Sequence, residues 1–166
     1  MDIDYILEVI EKNDLSIAIQ QSSWAFQTLE TIHVFAFALV VGTILAVDLR
    51  LLGLSSRKSR VTEMIEDCLQ WTWLGFILAF ITGFMMFMTK SAIYFEAATF
   101  RWKMALLLLA GLNMLIFHFR TFQSVAQWND SQSIPLAARL AGGLSIILWA
   151  AIIVLGRWIG FAIVDI

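Results

Sequence analysis

Two histidines and a few charges stand inside otherwise apolar stretches, and they are the residues with chemistry to offer. His33 and His118 are the chain's two imidazoles. Glu30 lies three residues before His33, so on a helix the two share a face. Asp48 lies eighteen residues beyond Glu30, about five turns at 3.6 residues each, and falls on the same stripe. Phe37, Val41 and Ile44 fill that stripe between the polar ends. A carboxylate beside an imidazole sets its tautomer, as it does behind metal-bound histidines. In a helical bundle imidazole is also the usual axial ligand of haem. His33 and His118 are therefore candidate haem b ligands, with Glu30 orienting His33. Gly111, seven residues before His118 and nearly on its face, leaves room for a porphyrin edge. Met85 and Met88 share a face roughly level with His33, as candidates for a sixth haem ligand or for Cu(I). Methionine is also an ordinary apolar filler.

The same charges admit a structural reading. Glu30 pairs with Arg157 or Lys103, and Asp48 with Arg139 or Arg120, with Arg50 in the Asp48 layer. Such pairs on facing helices would fix the register of a bundle. Depth constrains the haem alternative. Counted from Trp24 and Trp102, His33 and His118 differ by about 10 Å in depth at 1.5 Å per residue. One haem held by both within one subunit then needs strong tilt. A homo-oligomer with its twofold along the membrane normal would instead bring like histidines together.

These residues need elements to position them. Of 166 residues, 60% are apolar and 14% charged. A soluble domain carries about 25% charged residues, so this chain cannot coat a water-soluble globule. Four runs, near 24–48, 69–89, 102–122 and 136–163, are long enough to cross about 30 Å of hydrocarbon, which takes roughly 20 helical residues. Lipid admits helices there and not open sheet edges. The expected fold is all-α, an integral membrane four-helix bundle over 20–166, with an amphipathic helix over residues 1–19. In that leading helix Ile3, Ile6, Leu7 and Ile10 alternate with Asp4, Glu8, Glu11 and Lys12, a pattern suited to capping the bundle mouth or lying on the membrane surface. The acidic start lacks the basic n-region of a secretory signal, so the first run is expected to stay as an anchor.

Lys and Arg divide six to five between the two ends of the spans, but Arg57, Lys58 and Arg60 crowd one loop. The positive-inside tendency places that loop in the cytoplasm and both termini in the periplasm. Gly75, Ala79 and Gly83 line one face of the second span, and Gly156 and Gly160 one face of the fourth, as close-packing surfaces. Asn113 is expected to hydrogen-bond between helices.

Several residues carry a resemblance. Trp24-Ala-Phe26, Glu30-Thr-Ile-His33 and Asp48-Leu-Arg-Leu-Leu-Gly53 are similar to the first helix of a family of small bacterial inner-membrane proteins of unknown function. The likeness continues through Trp73-Leu-Gly-Phe76, Phe100-Arg-Trp-Lys103, Asn113, Phe117-His118, Arg139-Leu-Ala and Gly156-Arg-Trp-Ile159, over about residues 20–160. It implies a bacterial inner-membrane origin and a four-helix fold, and it implies no activity. The methionine cluster is not part of it.

The net charge of −2 offers nucleic acid no electrostatic footing, and the lone Cys68 excludes an intrachain disulfide. No phosphate loop, zinc spacing or nucleophile elbow occurs. The leading expectation is a b-type haem protein moving electrons in or near the membrane, with a quinone or redox protein as partner. The alternatives are a non-catalytic membrane scaffold, held by its ion pairs and binding neighbouring helices or further copies, and a small proton, metal or solute transporter using Glu30, His33 and Asp48.

Overall fold

The computed structural model describes residues 3–54, 60–128 and 134–162. Among these described residues seven α-helices run in chain order: α1 (Ile3–Glu11), α2 (Asp14–Gln21), α3 (Ala25–Leu51), α4 (Val61–Thr89), α5 (Ser91–Glu96), α6 (Ala98–Ile116) and α7 (Leu136–Ala162). Beyond Ile116 the chain continues through a π turn, Phe117–Thr121, and a 3₁₀ segment, Phe122–Gln127. Among the described residues four spans are long and apolar enough to cross a membrane: α3, α4, α7, and α6 with its continuation. This is a multi-pass, all-α membrane fold. Large apolar side chains such as Phe35, Leu108 and Ile147 point outward, as hydrocarbon permits and water does not.

α4 starts eight residues earlier than the apolar run predicts, because Val61 anchors it. Val61 is buried with Leu51, Trp128, Ile134 and Ala138 in a cluster closing one end of the bundle. A second cluster, Ala110, Leu148 and Ile152 with Phe37 and Trp149 against it, fills the middle. Close backbone approach joins α3 to α4, α3 to α7 and α6 to α7, whereas α4 and α6 meet marginally at most. The bundle thus has three tight sides and one wider one, which the stacked rings of Phe87 and Phe100 bridge at 5.5 Å.

The expected small-residue face on α4 is a true contact. A Cβ on Gly75 would sit 2.9 Å from the Ala36 carbonyl oxygen, so only glycine lets α3 and α4 approach this closely there. On α7 the close approach falls at Gly142, against the Asp48 carbonyl and Leu51, whereas Gly160 has open space beside it. Asn113 donates to the Ala141 carbonyl at 3.0 Å, joining α6 to α7 as expected.

The pattern over 3–19 predicts one helix, and the chain forms two. The side chain of Asn13 accepts from the Leu15 amide at 3.0 Å and so caps a new helix, while Lys12 closes the first by pairing with Glu8. The break folds α1 and α2 over one end of the bundle. Two buried hydroxyls latch them there: Ser16 donates to the Met88 carbonyl and Ser91 to the Leu7 carbonyl, each at 2.8 Å. Each latch is expected to contribute about 1 kcal/mol. In Ser16→Ala with Ser91→Ala, amide exchange in residues 3–21 should accelerate selectively. Unchanged protection there would show that apolar contacts alone hold the cap.

Candidate functional site

The polar groups of the spans collect at two levels. At the capped end, His33 on α3 meets α4. Its Nδ1 lies 3.0 Å from the Thr82 hydroxyl, which itself donates to the Leu78 carbonyl at 2.7 Å. With the hydroxyl proton donated to Leu78, the oxygen can accept from Nδ1–H, and in that tautomer Nε2 keeps its lone pair; the Ala79 backbone is a further hydrogen-bond partner of the ring. Gly83 lies under the ring: a Cβ there would come within 2.9 Å of Cε1. Thr82, not Glu30, is therefore the side chain bonded to the imidazole. Nothing in the residue spacing singles Thr82 out, except that it adjoins the small-residue face of α4.

Glu30 is exposed, and its neighbour is Tyr94. Tyr94, outside the spans, packs on Phe87 and Phe100. Burial raises its phenol above the ordinary value, and the Glu30 charge adds to the shift. The resulting stabilisation is present in full below about pH 10 and is lost as pH rises through the folded value. In a Tyr5→Phe background, Glu30→Gln should lower the alkaline midpoint of phenolate absorbance. An unmoved midpoint would remove Glu30 from this pair.

Lys103, on α6, completes this level. Its Nζ lies 5.9 Å from the centroid of Phe37, which stacks on His33 and tilts against Trp149. The ammonium also rests beside Gly156, where a Cβ would be 3.5 Å away. The expected pairing of Glu30 with Lys103 or Arg157 does not form. The ion pairs among the described residues are Lys12–Glu8 and Arg60–Glu63, both exposed. Lys103 turns inward across Phe37 while Glu30 faces outward, and this separates them.

The second level lies at the other end. Asp48 is buried against α7, with the Ser145 side chain as its polar neighbour. It makes no ion pair with Arg139 or Arg120. Arg139 reaches instead toward Gly53, whose φ of 77° ends the α3 turn. Arg50 is buried, and Arg120 is exposed in the π turn. Arg57 and Lys58 lie outside the described residues.

The single stripe predicted on α3 is divided. His33 and Asp48 are fifteen residues apart, about 60° beyond a whole number of turns. That offset turns His33 to α4 and Asp48 to α7.

His118 is not brought to His33. It lies exposed in the π turn, stacked on Phe122 at 5.4 Å and edge-on to Phe119 at 5.6 Å. Its neighbour Phe117 packs on the Leu51 cluster, and Leu51 is about 27 Å of helical rise from His33. The depth difference far exceeds the 10 Å expected, because Lys103 is level with His33 itself, whereas that count put Trp102 level with Trp24, nine residues earlier. One haem cannot take both histidines of one subunit. Gly111 has open space beside it, part-way between the levels. Met88 is buried, its carbonyl accepting from Ser16 on α2, and Met85 is half-buried nearby. Among the described residues no three His, Cys, Asp or Glu side chains gather as a metal-ion site.

The motifs of α3, Phe100–Lys103 and Gly156–Ile159 frame both levels. A family profile covers them all, matching residues 19–162. The chain belongs to the DUF6644 family, described as a family of unknown function. The match begins within α2 and takes in every span. No curated protein and no solved structure matches the chain.

Proposed function

We propose that the protein is a b-type haem protein that moves electrons in or near the membrane, with His33 as the axial ligand. One observation carries this reading. Thr82 is bonded at Nδ1, and the Nδ1–H tautomer this favours leaves the Nε2 lone pair available, the arrangement that second-shell partners impose on metal-bound imidazoles. The surroundings suit the group. Gly83 keeps side-chain atoms off the ring, Phe37 and Trp149 supply aromatic surface, and the Lys103 ammonium suits a propionate. When bound, the haem would supply one-electron redox chemistry. The chain's residues hold the imidazole, orient it and place a cation beside it. His118 has no part in the same site.

In this reading the protein resides in a bacterial inner membrane. The Arg57–Arg60 loop faces the cytoplasm and both termini the periplasm, supported by that basic cluster. A quinone or a redox protein would exchange the electrons.

The test is a visible spectrum of the protein, purified in detergent from haem-sufficient cells, before and after dithionite. A Soret band with α and β bands that sharpen on reduction is the expected result. A flat spectrum at stoichiometric protein would overturn the reading.

A further inference from the structure

Asp48 remains unexplained by a haem at His33, which lies about 22 Å away along α3. It is 5% exposed, and its Oδ2 has no hydrogen-bond partner among the described residues. Ionised carboxylates inside membranes are normally paired or face water, and an unpaired buried charge is neutralised instead. Among the described residues no ion pair compensates Asp48. The groups around it are few. Ser145, on α7, is the polar side chain at the carboxyl, and Gly142 brings the α7 backbone onto the Asp48 carbonyl. Arg139, also on α7, is turned to Gly53. Arg50 follows on the same helix. On α4 the Thr72–Thr43 hydroxyl bond at 2.8 Å fixes the register, which puts exposed Asp67 and half-buried Cys68 level with Asp48. From the α6 continuation, His118 and Arg120 are exposed. Beyond Asp48, the apolar cluster of Leu51, Val61, Trp128, Ile134 and Ala138 seals that end of the bundle.

We propose that Asp48 is an intramembrane proton-binding site at the α3–α7 crossing. Its carboxyl is carried as the neutral acid, with the proton as ligand and the Ser145 hydroxyl as its polar support. A neutral acid suits this pocket as an anion does not: it needs no counter-cation, and its O–H can donate where the carboxylate would only accept. Reversible loss of that proton would place an uncompensated charge between α3 and α7, so proton uptake at this site is coupled to the packing of the two helices.

Infrared difference spectroscopy of the full chain in lipid bilayers tests this directly. At neutral pH the wild type should show the carbonyl stretch of a protonated carboxyl, shifted in D₂O and absent from Asp48→Asn. Asp48→Glu should restore such a band at a displaced frequency, which keeps the test decisive if the asparagine variant folds poorly. Ser145→Ala should shift the wild-type band by removing its hydrogen-bond partner. Identical carbonyl regions in wild type, Asp48→Asn and Asp48→Glu would overturn the proposal. The readout needs no haem, so its failure and that of the haem reading are separate results.

Discussion

Gly75→Leu should all but separate α3 from α4. A Cβ at residue 75 would meet the Ala36 carbonyl oxygen at 2.9 Å, the Val40 Cγ2 at 3.0 Å and the Val40 amide nitrogen at 3.3 Å. Two of these three are backbone atoms of a helix, which cannot rotate away as a side-chain tip can. The helices must move apart, and they are the most extensively packed pair in the bundle. Overpacking of a core costs about 1–3 kcal/mol, occasionally more, and a leucine against a rigid backbone belongs at or beyond the top of that range. The loss also removes part of the dispersion contact that holds helices together in lipid, where no hydrophobic drive between them exists. Reversible unfolding in mixed detergent micelles measures it. Gly75→Ala should fall within the 1–3 kcal/mol range.

Gly42→Ala is the control. Nothing lies within 4 Å of a Cβ there, so no clash arises, and better helix propensity is worth up to about 1 kcal/mol. Equal losses at residues 42 and 75 would mean that glycine in α3 and α4 serves insertion or flexibility, and that close approach is not what Gly75 provides.

How far the sequence discloses this molecule depends on the scale of the feature. The spans are legible because about 20 apolar residues in a row admit few other readings. The Gly75 face is legible because spacing four repeats on one side of a helix. The charge partners are not, because partner choice depends on side-chain direction and helix rotation. A stripe drawn through Glu30, His33 and Asp48 treats 60° as negligible, yet that angle separates a contact with α4 from one with α7. Thr82 is invisible for a related reason. A threonine in an apolar span gives the same local signal whether it back-bonds to its own helix or also receives an imidazole, and here it does both. The π turn at Phe117–Thr121 likewise leaves no mark in the apolar pattern, and it helps to put His118 on the outer surface rather than in the bundle.

The largest functional effect should come from His33, and its logic separates four variants. His33→Ala removes the imidazole whose Nε2 is the available donor, and haem absorbance should fall to background while the helix content is kept. Thr82→Val keeps the ring and removes the oxygen that accepts from Nδ1–H. The tautomer is then no longer fixed, and Nδ1–H is left partly buried without its partner. Second-shell losses of this kind cost about 10–100-fold in metal affinity, so haem should be retained at high concentration and lost on dilution. Thr82→Ser, which restores the hydroxyl, should recover most of that affinity. His118→Ala should leave both occupancy and the reduced spectrum unchanged, since His118 lies about 27 Å of helical rise from His33 among Phe119 and Phe122. The discriminating measurement is haem titration of the four variants by absorbance. Loss in His118→Ala as deep as in His33→Ala would show that haem binding needs both histidines and would overturn a site built on His33 alone. Full binding by His33→Ala would remove His33 from the site, and with it the reason for reading the Thr82 bond as more than a clasp between α3 and α4.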